Sequence, residues 1–309
     1  MDLAAELLRY GPEAPTRGVP TLAESQAYCR QLAREHYENF QVVHLFLPHH
    51  LRDHFASLYA YCRWADDLAD EAKTPEEATH LLGWWQQQLD ALEQGQNATH
   101  PVFVALAATV QAKQLSFAPL HDLLSAFRQD QQTTRYATWR ELDDYCRRSA
   151  NPVGRLVLEL ADVRDDVSMA LSDFVCTGLQ LINFWQDLRR DFERGRIYLP
   201  AEALGGTEID RERLLDYQTD SDLQMVLEAA VVDARQSIRR GWDLLPRVPR
   251  EFRRSIELFI RGGLAICDAV RDANYQPLVR RPVLSKWKKL SLLAITFWPF
   301  RTIPKGVLT

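Results

Sequence analysis

Tyr61-Cys62-Arg63-Trp64-Ala65-Asp66-Asp67-Leu68-Ala69-Asp70 is the stretch from which the fold can be read. On a helix advancing about 100° per residue, Tyr59, Arg63, Asp66 and Asp70 fall on one narrow stripe. Far downstream, Gln180-Leu181-Ile182-Asn183-Phe184-Trp185-Gln186-Asp187-Leu188-Arg189-Arg190-Asp191 repeats the device. There Gln180, Asn183, Asp187 and Asp191 share a face, with Phe184 at its edge. Like charges at i,i+4 cost a helix roughly 0.2–0.5 kcal/mol, so neither pair serves its own helix. A solvated acidic face explains either pair alone. Two pairs, each set in apolar and aromatic sequence beside other polar groups, predict two helices brought face to face for chemistry.

Outward from these stretches the chain reads as helix nearly throughout. Thr21 with Glu24 forms a capping box that opens a helix to about residue 38. Pro48 starts the helix carrying the first acidic stretch. Helical spacing then covers about 75–94, 101–114, 118–129 and 138–150, and Asn151-Pro152-Val153-Gly154 predicts a break. The second acidic stretch lies on a long helix of about 166–194 that Gly195 ends. After Gly205-Gly206 come helices near 210–217, 221–245 and 249–274, and one beyond Pro282. Period-2 alternation is almost absent. The expected fold class is all-α, with residues 1–20 a loose arm, because Gly11, Pro12, Pro15, Gly18 and Pro20 crowd it, and 21–309 one domain.

Composition narrows the function. With 309 residues, 46% hydrophobic and 26% charged, the chain has material for a large core. A net charge of −5 argues against a nucleic-acid partner. Five scattered cysteines without a Cys-x-x-Cys pair fit reduced thiols and a cytoplasmic location. The acidic start is no export signal. The apolar run 292–300 is too short for the roughly 20 residues a bilayer span needs. It follows Lys286, Lys288 and Lys289, so 283–300 reads equally well as a core helix or as a segment lying peripherally on the inner membrane face.

The chemistry that wants paired carboxylates on apolar helices is ionisation of an organic diphosphate. Mg²⁺ takes oxygen ligands and bridges carboxylates to phosphates, which stabilises charge on a departing diphosphate. Arg63 would donate to phosphate oxygens, and Phe40, Tyr59 and Phe184 could face a carbocation, although core packing accounts for each aromatic singly. His50 and His54 share a metal-capable spacing, but nothing completes a His-Glu-x-x-His motif.

Arg63-x-x-Asp66-Asp67-x-x-Asp70, Gln180-x-x-Asn183-x-x-x-Asp187-x-x-x-Asp191 and Gly195-Arg196-Ile197-Tyr198-Leu199-Pro200 together resemble the squalene/phytoene synthase family, from about residue 32 to 293. The resemblance implies an isoprenoid synthase fold, a single helical bundle around a central cavity, and head-to-head prenyl diphosphate chemistry. By it, Asp66, Asp70, Asp187 and Asp191 are metal ligands for about two or three Mg²⁺ ions. Arg63, Arg280 and Lys288 become diphosphate contacts, Gln180 and Asn183 cavity polar groups, and Tyr59 and Tyr145 cavity tyrosines.

The departures are as telling. Where relatives carry Ser-Lys-Ser-Phe, this chain reads His36-Tyr37-Glu38-Asn39-Phe40, with an acid in place of the lysine. Gln186 stands where arginine is frequent, Asn151-Pro152 replaces a small pair, and Gly263 replaces a diphosphate-contacting tyrosine. These changes remove positive charge and favour one already-joined substrate over two prenyl diphosphates. His-Tyr-Glu-Asn-Phe, Asn-Phe-Trp-Gln-Asp and Arg-Arg-Pro-x-Leu-Ser-Lys-Trp are similar to the bacterial hopanoid-pathway branch, the HpnC type. That branch implies conversion of presqualene diphosphate to hydroxysqualene with no NADPH, and His36 and Phe40 become substrate contacts. Tyr145, Asn183 or Glu38 would position the water, a choice the sequence leaves open. Squalene, presqualene diphosphate or phytoene synthesis and a non-catalytic binding protein remain the alternatives. An apolar substrate also suggests handover to other squalene-pathway enzymes.

Overall fold

The computed structural model describes residues 2–15, 18–35, 48–204 and 221–297. Among them are twelve α-helices and no strand beyond one isolated bridge between Arg135 and Ile197. The helices are α1 (Leu3–Tyr10), α2 (Leu22–Glu35), α3 (Arg52–Asp70), α4 (Pro75–Glu93), α5 (Pro101–Lys113) and α6 (Ala118–Gln129). After them come α7 (Trp139–Ser149), α8 (Asn151–Leu160), α9 (Asp166–Glu193), α10 (Ser221–Arg240), α11 (Arg250–Asp272) and α12 (Lys286–Phe297). The all-α expectation is met. The expected helix near 210–217 lies outside the described residues.

Local chemistry sets the boundaries. Thr21 and Glu24 close the capping box, with Thr21 N–H donating to Glu24 at 2.8 Å and Glu24 N–H to Thr21 Oγ1 at 3.3 Å. Thr74 and Thr138 cap α4 and α7 in the same manner. Asn151-Pro152 does end α7, but the proline then occupies the first turn of α8, where its missing N–H costs nothing. Gly195, at φ +79°, stops α9.

The chain forms two compact units, one from Met1–Gln132 and Leu156–Val163, the other from Thr133–Arg155 and Arg164–Thr309. In the first, α2, α3 and α5 pack on one another, and α4 and α6 lie against α3. Its core holds Trp64 stacked on Trp85 at 5.2 Å, with the His100 ring perpendicular to both. Truncating a buried tryptophan of this kind to alanine costs about 3–5 kcal/mol. His100 Nδ1 accepts from Val102 N–H at the start of α5, so the ring proton sits on Nε2 among tryptophan faces. Burial holds its pKa down at about 3.

The segment 1–20 was expected to be a loose arm, and over residues 3–10 the structure corrects this. Asp2 caps α1, Leu3 is buried, and Tyr28 Oη–H donates to Glu6 at 2.6 Å. Leu3 and Leu7 lie on one face of a short amphipathic helix, and both join the unit's apolar core.

In the second unit α9 packs on α10, and α11 closes on both. Two glycines permit the approach. A Cβ on Gly178 would stand 2.8 Å from Ala234 O, and one on Gly263 would stand 2.5 Å from Leu179 Cδ2. Among the described residues α9 is also the one helix long and apolar enough to cross a membrane, yet its apolar flank is spent on this packing. Beyond α11, Asn274 and Tyr275 both adopt left-handed backbone, at φ +53° and +52°, which redirects the chain toward residues 278–282.

Candidate active site

In the first unit, the buried side of α3 is set by Tyr61, Trp64, Ala65 and Leu68, which leaves Arg63, Asp66 and Asp70 toward solvent. Arg63 is engaged by its own helix. Its Nε donates to Asp67 Oδ2 at 3.1 Å, a second nitrogen bonds Asp67 Oδ1, and Nη1 reaches Asp66 Oδ2 at 3.3 Å. Asp67 is 1% exposed, and burial raises its pKa against the pull of Arg63. Asp67 therefore holds Arg63 from beneath, while Asp66 and Asp70 remain accessible. The i,i+4 spacing of Arg63 and Asp67 was the sequence signal for this clamp. Tyr59, one turn earlier, is half-buried against the apolar core.

In the second unit, α9 presents Gln180, Asn183, Asp187 and Asp191 in line, with Asn183 exposed and the other three half-buried. Asp187 is held by Arg281 through two hydrogen bonds, one of them from Nη2 to Oδ2 at 3.0 Å. Burial first, and the Asp187 charge second, push Asp191 up to about 7, opposed by Arg196, Arg194 and Arg190. Arg281 went unnoticed in the sequence, where Arg280 was favoured; Arg280 is exposed, and so is Lys288 on α12.

Gln186 corrects a second expectation. It was read as a lost positive charge, but it is 5% exposed and donates through Nε2 to Pro282 O at 2.6 Å. Its Oε1 accepts from Arg281 at 3.4 Å. The glutamine thus seats an arginine delivered from elsewhere in the chain, and the cation beside Asp187 is retained. The other departures have packing roles: Asn151 accepts from Thr177 Oγ1 at 2.8 Å, and Gly263 lies where any side chain would meet Leu179. His36, Glu38 and Phe40 lie outside the described residues.

Phe184, between Asn183 and Asp187 on α9, belongs to an aromatic wall. Phe184 stacks on Tyr198 at 3.8 Å and 8°, Tyr136 stacks on the same tyrosine at 5.8 Å, and Tyr145 lies about 6 Å from each of the three. All four rings are buried. The bridge from Arg135 to Ile197 and the bond from Ala201 N–H to Tyr136 O hold Tyr136 and Tyr198 in register.

The donor set suits Mg²⁺. Each helix offers carboxylate oxygens alone at i,i+4, each already attracts a guanidinium, and Asp191 carries the like-charge strain that a cation relieves. Among the described residues no three acidic, imidazole or thiol groups converge, so each helix by itself would offer an ion one or two carboxylates. Phosphate and water would complete its shell.

The family model described as squalene/phytoene synthase matches residues 33–288. A 15-cis-phytoene synthase of Synechococcus elongatus is 25% identical over 94% of this chain and 97% of its own. A hydroxysqualene synthase of Zymomonas mobilis is 32% identical over 66% of this chain and 68% of its own. Among solved structures, the squalene synthase HpnC from Alicyclobacillus acidocaldarius is 40% identical, covers 83% of this chain and 96% of its own, and superposes with a TM-score of 0.78. With both aspartate helices inside the matched region, the chain belongs to the squalene/phytoene synthase family.

Proposed function

We propose that the protein ionises presqualene diphosphate and directs water onto the rearranged cation, giving hydroxysqualene and inorganic diphosphate. The observation that carries this reading is the gradient of identity. It rises from 25–28% with phytoene synthases to 32% with a hydroxysqualene synthase, over 66% of the chain, and 40% with the squalene synthase HpnC, over 83% of it.

Asp66 and Asp70 on α3 and Asp187 and Asp191 on α9 are the residues that would hold Mg²⁺, which supplies charge neutralisation for the leaving diphosphate. Arg63, which keeps Asp67 and gives up Asp66, and Arg281, which gives up Asp187, are the chain's own donors to phosphate oxygens. The carbon–oxygen bond breaks with its electron pair passing to the diphosphate. The cyclopropylcarbinyl cation left behind rearranges beside the faces of Tyr136, Tyr145, Phe184 and Tyr198, whose π-clouds favour positive charge. Water then forms the new carbon–oxygen bond and releases a proton. Asn183, exposed one turn before Asp187, and Tyr145, beside Phe184, would orient that water. Because water quenches the cation, the step consumes no reductant such as NADPH.

The test offers presqualene diphosphate and farnesyl diphosphate separately to purified protein with Mg²⁺. Hydroxysqualene from presqualene diphosphate alone, abolished by Asp66→Ala and by chelator, is the expected result. Consumption of farnesyl diphosphate would overturn it and place the protein among the coupling synthases.

A further inference from the structure

The charge of this chain is divided unevenly. None of the 42 acidic residues falls after Asp272, whereas seven of the 37 basic ones do: Arg280, Arg281, Lys286, Lys288, Lys289, Arg301 and Lys305. A chain of net charge −5 thus ends in a wholly cationic segment.

Helix α12 displays part of that segment in a particular way. It rests on α11, and one side of it carries the fully buried Thr296 with the half-buried Leu292 and Leu293. At about 100° per residue, the opposite side of the helix is centred on Trp287 and includes Leu290, Ala294 and Ile295. Apart from Ser291, whose hydroxyl donates back to Lys288 O at 2.7 Å, that outward side is apolar: Trp287 is 82% exposed, Leu290 56% and Ile295 46%. Lys286 and Lys288 flank it on its two edges. An ordinary surface helix turns its apolar stripe inward and its charges out. Here apolar residues point both ways, and the lysines sit at the boundary, where their stems can lie along an apolar phase and their ammonium groups reach a polar one. Val283, 54% exposed, extends the patch toward the preceding loop.

We infer that the outward face of α12 is a docking surface for a bilayer bearing anionic headgroups, on which the helix lies in the plane of the interface. Charge and shape select that partner. Trp287 suits the headgroup–acyl boundary, and flanking lysines suit phosphate-rich headgroups. A second copy docked through the same face would set lysines against lysines around its two-fold axis.

The test is co-sedimentation of the full chain with vesicles of neutral phosphatidylcholine, and with vesicles containing phosphatidylglycerol at about one part in three, at low and high salt. Binding to the anionic vesicles that weakens with salt is expected. Lys286→Gln should lower the partition coefficient about fivefold, the effect of one lysine near an anionic surface. Trp287→Glu/Leu290→Glu should abolish binding while turnover of a detergent-dispersed substrate is unchanged. Wild-type binding by that double variant would overturn the inference, and so would no binding to either vesicle. A concentration-dependent dimer that Trp287→Glu/Leu290→Glu dissociates would overturn it in favour of a second copy.

Discussion

Helices α3 and α9 carry the same burden, two carboxylates one turn apart, and relieve it with cations of different origin. On α3 the cation is local: Arg63 reaches Asp66 and Asp67 within a turn of its own helix. On α9 it is Arg281, 94 residues further along the chain. The settings differ too. The Asp67 side chain is 2% exposed, whereas that of Asp187 is 24% exposed. One ion pair is part of the core and the other lies open to exchange, so the same residue types divide between holding the fold and meeting a substrate.

Removing a carboxylate from either helix tests whether both serve one reaction. Asp187→Asn and Asp66→Asn are each expected to lower turnover about 10³-fold or more, the scale of losing a preorganised charge partner for a leaving group. Steady-state assays under saturating Mg²⁺ measure it. If either variant keeps activity within tenfold of wild type, that helix stands outside the site.

The arginines sharpen the contrast through stability. Arg63→Gln strands a buried carboxylate at Asp67 and is expected to cost about 3 kcal/mol in urea unfolding. Arg281→Gln leaves a carboxylate that water can reach and should cost less than about 1 kcal/mol. Both variants should lose activity. Equal losses of stability would break the distinction between a structural and an exchangeable pair.

The aromatic clusters differ in a way that pH exposes. The first unit buries a histidine among tryptophans; the second builds its wall from tyrosines and a phenylalanine. His100 titrates at about 3 when folded and near 6.5 when unfolded. Between those values the unfolded chain binds the extra proton, so this contribution to stability is complete above pH 6.5 and shrinks as pH falls toward 3. At pH 5 the loss is about 2 kcal/mol. Thermal midpoints recorded from pH 7.5 to 5 should fall more steeply for wild type than for His100→Gln. Parallel slopes would show that the acid-sensitive group lies elsewhere.

What the sequence displayed follows the same local-versus-distant division. The capping box at Thr21, the stop at Gly195 and the break at Asn151-Pro152 depend on neighbours within four residues, and each appears where it was expected. The aspartate stripes were legible for the same reason. Arg281 was not, because choosing between adjacent arginines depends on how Asn274 and Tyr275 turn the chain, and a left-handed tyrosine has no sequence signal. Gln186 was misread because its partners, Arg281 and Pro282 O, lie nearly a hundred residues away. Gly263 looked like a deleted contact, yet its meaning is the close approach to Leu179.

The smallest effect concerns α1, where Gly and Pro counts outweighed an eight-residue amphipathic run. Asp2 Oδ1 accepts from Ala5 N–H at 3.1 Å, and a chain of bonds leads from Glu6 through Tyr28 Oη to Trp64 Nε1–H on the buried side of α3. The segment is therefore tied to the helix that carries Arg63 and Asp66. Asp2→Ala removes the cap and should cost about 0.5–1 kcal/mol, confined to α1. Hydrogen exchange at the amides of residues 6–10 should speed up several-fold, while those of α3 and the rate of turnover stay unchanged. Amides that exchange as freely in wild type as in Asp2→Ala would return the segment to a loose arm. Exchange that also rises in α3 would show that the bond chain through Tyr28 transmits more than packing, joining the first helix to the local ion pair.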